Sequence, residues 1–424
     1  MAIMVRNKKE LVARVKNHLN TDKIFVLGIG EKAVRFVSEH MDEINIVGFL
    51  TDNISASETI CVNNKEYSVT SLDAFEIGDG TFVIVATNNN EYSDIFLSSR
   101  GSSTFNDYIW SEWYDIFMND KKVVLIEGNC QLVEAYYFLK SIKVVTENYS
   151  LMVYHSHLYK SRYSMLRWNY YLVMCDFFIS NNYMTKLPTS HRVFEIPIDC
   201  KVIKAPRVFY DFLWPEVQKN RNSTYTYNEL KVTEKSKISM QPHGPYDVGD
   251  KLVNEMIKSG KNDNEIIDAL FNYRLCGDKN IIERMILFFD NLEKQEKECD
   301  IVYSPYLKEN ILVKRCFYDP IHMNTEMCWY VVSQILQILG LPDIKECDIE
   351  NYDEFWMYLD HCTELPVYPE IARQLGLKWV NEQTEYRVTF YSGVRKMTFT
   401  EYYKSYIQAA RVALKLHKLY DGLC

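Results

Sequence analysis

No stretch of this 424-residue chain stays apolar for long enough to cross a bilayer, which excludes a membrane-spanning protein. An apolar signal core is missing as well: the opening MAIMVRNKKELVARVKNHL reads as an amphipathic basic helix, so a cytoplasmic protein is expected. Paired C-x-x-C spacing does not occur. The 11 cysteines, an odd number, are scattered from Cys61 to Cys424 as in a chain kept reduced, so neither disulfides nor a structural zinc site is expected. Positive charge is short, with 48 Lys and Arg against 57 Asp and Glu and a net charge of -9. Nothing in that balance would offset phosphate repulsion over a broad surface, which argues against a nucleic-acid partner. An anionic cofactor would need a local basic pocket.

What the chain does have is ordinary globular composition, 47% hydrophobic and 25% charged, at a length that suggests two or three domains. Tyrosine is abundant, at 31. Aromatic faces stack on sugar rings, but core filling is the commoner use of any given tyrosine.

The fold class expected is α/β. Residues 7 to 20 form an amphipathic helix, followed by Lys23 to Leu27 and the turn Gly28-Ile29-Gly30-Glu31-Lys32-Ala33. This is a strand, a glycine turn and a helix carrying a relaxed dinucleotide fingerprint, G-x-G-x-x-A. Gly28 would permit the turn and Gly30 the approach of a phosphate. Asn45 to Leu50 make a second strand, and Asp52 falls where a ribose-binding acid belongs. Strands near Tyr67 to Val69 and Phe82 to Thr87 complete a small parallel, Rossmann-like sheet, resembling the modules that accompany bacterial sugar-modifying enzymes. A nucleotide or nucleotide sugar is its candidate ligand, and Gly28, Gly30 and Asp52 are its candidate binding residues. Residues 111 to 120 turn polar, and the domain boundary is placed there: 1–118 for the module, 119–424 for the remainder, with an α/β core over 121–210 and a helical part over 246–424.

The second unit opens on Val123-Val124-Leu125-Ile126-Glu127-Gly128-Asn129-Cys130-Gln131. An apolar run meets a glycine and then the helical spacing of Leu132, Val133, Tyr136, Tyr137 and Leu139. Cys130 therefore stands at a helix N-terminus, where unpaired N–H groups and the positive end of the dipole favour a thiolate. Asn129 and Gln131 flank it with amides able to serve an oxyanion. Further strands are expected at 150 to 154 and 173 to 179, helices at 131 to 142 and 160 to 171, and a polar excursion at 217 to 238. Helices then dominate, at 247 to 259, 263 to 272, 279 to 297, 325 to 339 and 399 to 418, with one hairpin around Gly393.

From Gly128-Asn129-Cys130-Gln131 onward the chain resembles the WcbI family of polysaccharide biosynthesis enzymes, acetyltransferases associated with capsular and surface polysaccharides. Further points of likeness are Ile203-Lys204-Ala205-Pro206, Phe317 to Asn324 and Pro366-Val367-Tyr368-Pro369, over roughly residues 121 to 380. The resemblance implies acetyl-CoA or coenzyme A as cofactor and transfer of an acetyl group to a sugar hydroxyl of a polysaccharide precursor. Met323 departs from the proline expected there, and the N-terminal module is additional.

Acyl transfer from a thioester needs a base, oxyanion donors and a place for the cofactor arm. Among nine histidines, His322 is the first candidate base, with Asp319 near enough in sequence to orient its ring. His243, in the rigid Gln241-Pro242-His243-Gly244-Pro245, is the second. His155 and His157 share one strand face, and with no Cys or carboxylate at ligand spacing they read as the edge of the cofactor site and not as a metal pair. Gly128, Cys130, Gln131 and His155 are the candidate coenzyme A contacts. Arg162, Arg167, Arg192, Lys204, Arg207, Lys314 and Arg315 supply positive charge in the same domain, any of them equally an ordinary surface charge. Cys130 either accepts the acetyl group or only lines the oxyanion pocket. Competing readings are a nucleotide-sugar or NAD-binding enzyme, a non-catalytic assembly protein and a cysteine hydrolase. Against the first of these, the N-terminal unit lacks the Tyr-x-x-x-Lys that short-chain oxidoreductases of that class would carry. A homo-oligomer is left open.

Overall fold

The computed structural model of the protein describes residues 8–51, 59–76, 78, 80–87, 97–100, 102–119, 121–155, 171–181, 196–219, 246, 248–274, 280–341, 344, 363–390 and 393–421. The chain divides into two compact units. One comprises residues 1–127, 146–179 and 185–202, the other 128–145, 180–184 and 203–424. Among the described residues no helix is long and apolar enough to cross a membrane.

The first unit begins with α1 (Lys8–Thr21), whose Leu11, Val15 and Leu19 recur at helical spacing and are all buried. Its six-stranded sheet contains β1 (Lys23–Leu27), β2 (Ile46–Thr51), β3 (Thr59–Val62), β4 (Lys65–Ser71), β5 (Thr81–Val85) and β6 (Tyr108–Trp110), in the order β3-β4-β2-β1-β5-β6. Every pairing is parallel except β3 with β4. That antiparallel strand was not expected from the sequence. It follows from Asn63-Asn64, both left-handed at φ 49° and 64°, the two-residue turn whose twist suits a hairpin. Gly28 ends β1 at φ +122°, and a Cβ there would lie 2.8 Å from the Ala86 carbonyl oxygen, so only glycine fits before α2 (Glu31–His40). Residues 111 to 118, expected as a polar boundary, instead belong to the core: Trp113 and Phe117 are fully buried, the latter in α3 (Tyr114–Met118), and Trp113 stacks on Phe105 at 4.9 Å.

A four-stranded sheet contains β7 (Lys122–Gly128), β8 (Tyr149–His155), β9 (Phe177–Ser180) and β10 (Lys201–Lys204), in the order β10-β9-β7-β8. At one end of β9, Asp176 exchanges main-chain bonds with Val123 and Lys201; at the other, the Ala205 N–H reaches the Ser180 carbonyl. Strands β9 and β10 therefore run in the same direction. The Asp176 carboxylate also accepts the Val123 N–H at 2.7 Å and pairs with Lys8 at 2.5 Å. β9 starts later than expected because residues 171 to 174 are helical. The expected helix at 160 to 171 lies, apart from its last residue, outside the described residues.

The second unit is largely helical. After α4 (Cys130–Lys140) and α5 (Lys143–Asn148), the latter reaching into the first unit's residues, come α6 (Lys251–Lys258), α7 (Asp263–Phe271), α8 (Ile281–Glu296), α9 (Ser304–Asn310), α10 (Thr325–Leu339), α11 (Pro369–Leu375) and α12 (Phe399–Asp421). Local chemistry sets many of their ends. Asn262 with Glu265 and Asn280 with Glu283 form complete capping boxes, Asn324 caps α10, and Gly340 closes α10 in the left-handed conformation. α6 starts four residues later than expected because Asp250 is its N-cap, while Val248–Asp250 pairs as β12 with β11 (Val217–Lys219). The expected hairpin is formed by β13 (Glu385–Phe390) and β14 (Gly393–Thr398). An α/β architecture with a mostly parallel sheet and a helical C-terminal part is thus the fold of this chain.

Candidate active site

The site is built in the second unit, where β7 hands the chain to α4. A Cβ at Gly128 would lie 2.8 Å from both the Asn181 Oδ1 and the Leu132 Cδ1, so the turn closes only on glycine. Asn129 follows as N-cap in extended conformation, with no side-chain bond capping the main-chain N–H groups of the helix. Its polar groups go elsewhere. Its main-chain N–H donates to Asn181 Oδ1 at 3.3 Å, its Oδ1 accepts from Asn181 Nδ2 at 2.6 Å, and its Nδ2 donates to Gln131 Oε1 at 3.2 Å. Gln131 is wholly buried and reads the main chain of Val208, donating to its carbonyl at 2.8 Å and accepting its N–H at 3.3 Å. The two amides expected to face a reacting oxygen therefore brace the turn through Asn181 and Val208, neither of which the sequence had marked.

Cys130, the first residue of α4, is partly exposed. One helical turn on, Glu134 is completely buried. Its Oε2 accepts the Met323 N–H at 3.1 Å, and its Oε1 has no hydrogen-bond partner among the described residues. Burial holds this carboxyl well above the ordinary carboxylate range. His322 and the Met323 N–H pull it down, while the charges of Cys130 and Asp319 push it up. Glu134 thus lies within electrostatic reach of the thiol on one side and the imidazole on the other. Sequence reasoning passed it over. The available signal was an acid four residues after the cysteine, on a helix otherwise lined by Leu132, Val133 and Ala135.

His322 sits in the loop that enters α10. Its Nδ1 is 2.6 Å from Asp319 Oδ2, while Asp319 Oδ1 accepts the N–H groups of Ile321 and His322 at 2.7 and 2.8 Å. Asp319 is buried and held by three bonds, so it fixes the orientation of the ring through Nδ1. A main-chain bridge between Phe317 and Met323 narrows the loop further, and α4 packs on α10, with Phe138 and Trp329 rings 5.3 Å apart.

The other candidates fall elsewhere. His157, His243, Asp52, Arg162, Arg167 and Arg192 lie outside the described residues, as does the side chain of His155, the last residue of β8. Gly28 and Gly30 belong to the first unit. Lys314 pairs with Glu326. Arg315 is a core residue, ion-paired with Glu364 at 3.2 Å between the rings of Trp379 and Tyr386. Arg207, by contrast, is exposed and lines an open groove of about 410 Å³ with Phe209, Asp211, Arg284 and Phe288. The residue between Arg207 and Phe209 is the Val208 that Gln131 holds. Among the described residues no group of three or more His, Cys, Asp or Glu is placed to hold a metal ion.

The family model of the polysaccharide biosynthesis enzyme WcbI matches residues 123–344, just over half of the chain and the whole span from β7 to α10. The chain belongs to the WcbI family. Its helix-start cysteine, Glu134 and the Asp319–His322 pair all fall inside the matched span. A solved structure of WcbI, a polysaccharide biosynthesis enzyme, in its native form without a disulfide bond between coenzyme A and a cysteine, is similar over 69% of this chain and 93% of its own. The identity is 17% and the TM-score 0.47. Among curated proteins none matches this WcbI-family chain.

Proposed function

We propose that this WcbI-family enzyme is a coenzyme A-dependent O-acetyltransferase that moves an acetyl group from acetyl-CoA to a sugar hydroxyl in capsular or surface polysaccharide biosynthesis. The observation that carries the reading is one buried acid, Glu134, on which both a helix-start thiol and a carboxylate-oriented histidine act electrostatically. A nucleophilic sulfur, a base and a carboxylate that orients the base form the arrangement acyl transfer uses on unrelated folds.

In the proposed reaction the Cys130 thiolate attacks the thioester carbonyl carbon. A bond from that carbon to the Cys130 sulfur forms, the bond to the coenzyme A sulfur breaks, and coenzyme A leaves as the thiol with the proton that His322 had taken from Cys130. The sugar hydroxyl then attacks the acetyl carbon while His322 Nε2 takes its proton, and the Cys130 sulfur leaves as thiolate. Main-chain N–H groups in the first turn of α4, aligned with the positive end of the helix dipole, supply the oxyanion donors, since the Asn129 and Gln131 amides are engaged in the brace. Arg207 and Arg284 in the groove beside Val208 are the proposed seat for cofactor phosphate.

Mass spectrometry of the protein mixed with acetyl-CoA tests the reading. A 42 Da adduct on Cys130, about the mass of an acetyl group and chased off by an acceptor sugar, is expected, and Cys130→Ser should lack it. His322→Ala should slow turnover about 10²-fold or more while leaving cofactor affinity nearly unchanged. Transfer that persists in Cys130→Ser without any adduct would leave direct attack by the His322-activated hydroxyl, and absence of coenzyme A binding would remove the reading altogether.

A further inference from the structure

A second sulfur site lies in the first unit. Cys175 closes the helical turn at 171 to 174, and Cys200 follows an exposed turn containing Ile198; their sulfur atoms are 3.2 Å apart. Both residues are buried, at 2% and 9% exposure. A disulfide needs about 2.05 Å between sulfurs, so closure asks the two atoms to approach by only about 1 Å. Their neighbours favour ionisation of one thiol. The hydrogen bond across the pair pulls the Cys200 thiol down, against burial and the charge of Asp176, while Lys8, paired with Asp176 at 2.5 Å, helps. Cys175 is pushed up by the same shared proton. Asp176 and Lys8 are the charged groups that act on the pair among the described residues. Two thiols at this separation, one of them eased toward ionisation, are the arrangement from which disulfides form.

We propose that Cys175 and Cys200 are a dithiol site that a small two-electron oxidant, hydrogen peroxide, converts to an intramolecular disulfide. The Cys200 thiolate attacks one peroxide oxygen, the O–O bond breaks, and a sulfenic acid forms as the first water leaves. The Cys175 sulfur then attacks the Cys200 sulfur, the S–O bond breaks and the second water leaves, so two thiols and one peroxide give one disulfide and two waters. Access comes through the turn before Cys200, where one main-chain bond, from the Cys200 N–H to the Pro197 carbonyl at 2.9 Å, must open. The bond would staple the start of edge strand β10 to the segment that leads into β9. It uses no residue of the Cys130 site and stands whether or not the acetyl-transfer reading holds.

The test uses the full-length reduced protein, treated with stoichiometric peroxide under native conditions, blocked with N-ethylmaleimide in denaturant and mapped as peptides without reduction. The expected product is a Cys175–Cys200 cross-linked peptide pair, about 2 Da lighter than the two free peptides together, in higher yield than any other pair and absent from Cys200→Ser. Recovery of both cysteines as maleimide adducts, or as separate over-oxidised thiols, would overturn the proposal. So would a link that forms only when peroxide is added in denaturant.

Discussion

Glu134 offers the sharpest contrast between two substitutions. Glu134→Ala removes the acceptor of the Met323 N–H, a donor buried beside the active loop, and an unsatisfied buried N–H costs about 1–3 kcal/mol. Truncation also empties the space of one buried methylene and the carboxyl group, about another 1–2 kcal/mol with the cavity left behind. A loss of about 2–5 kcal/mol is expected. Glu134→Gln keeps an acceptor at the same reach and carries no proton to titrate. Because burial raises the Glu134 carboxyl, the stability it contributes is complete at low pH and is lost as pH rises through the raised value. The Gln variant should therefore lie within about 1 kcal/mol of the wild type at acid pH and gain on it as pH rises. Urea unfolding across pH 5 to 9, followed by a probe in the second unit, gives both numbers. If the Gln variant falls as far as the Ala variant at every pH, geometry is not what Glu134 supplies. If Ala costs nothing, the carboxyl does not hold the His322 loop.

Asp250 gives a second pH signature. It caps α6, accepts from Tyr368 and Tyr403, and is pushed up to about 6, first by burial. A folded value above the unfolded one means that stability present below pH about 4 is lost as pH climbs through about 6, roughly 3 kcal/mol in all. Asp250→Asn should erase that slope, and a wild-type minus variant difference that stays flat between pH 4 and 7 would refute it. Gly128→Ala must push the added Cβ into Asn181 or Leu132, so a loss of about 1–3 kcal/mol and slower alkylation of Cys130 by iodoacetamide are expected. Unchanged alkylation would show that the turn does not place the sulfur.

The strand, glycine turn and helix around Gly128 were legible because an apolar run, a glycine and a helical period follow one another within a dozen residues. The C-terminal helices were legible from their helical periods, while the caps that start them, Asn262, Asn280 and Asn324, are seen in the structure. The role of Glu134 was not, since its meaning depends on Met323, 189 positions away, and no periodicity links the two. Asn129 and Gln131 show the opposite failure. Their residue types suited an oxyanion, but which way an amide turns is decided by Asn181 and Val208, which only the fold brings near. Trp113 and Phe117 read as a weakening because their polar neighbours diluted the pattern, while their rings fill the core beside Phe105.

The grip of Gln131 on position 208 falls on atoms that every residue but one carries. Exchanging valine there for another aliphatic of like bulk leaves that recognition intact, whereas proline deletes the donor and sets the glutamine adrift. The spot is thus closed to one imino acid yet open to aliphatics of like bulk, a tolerance profile no list of reactive groups would foretell.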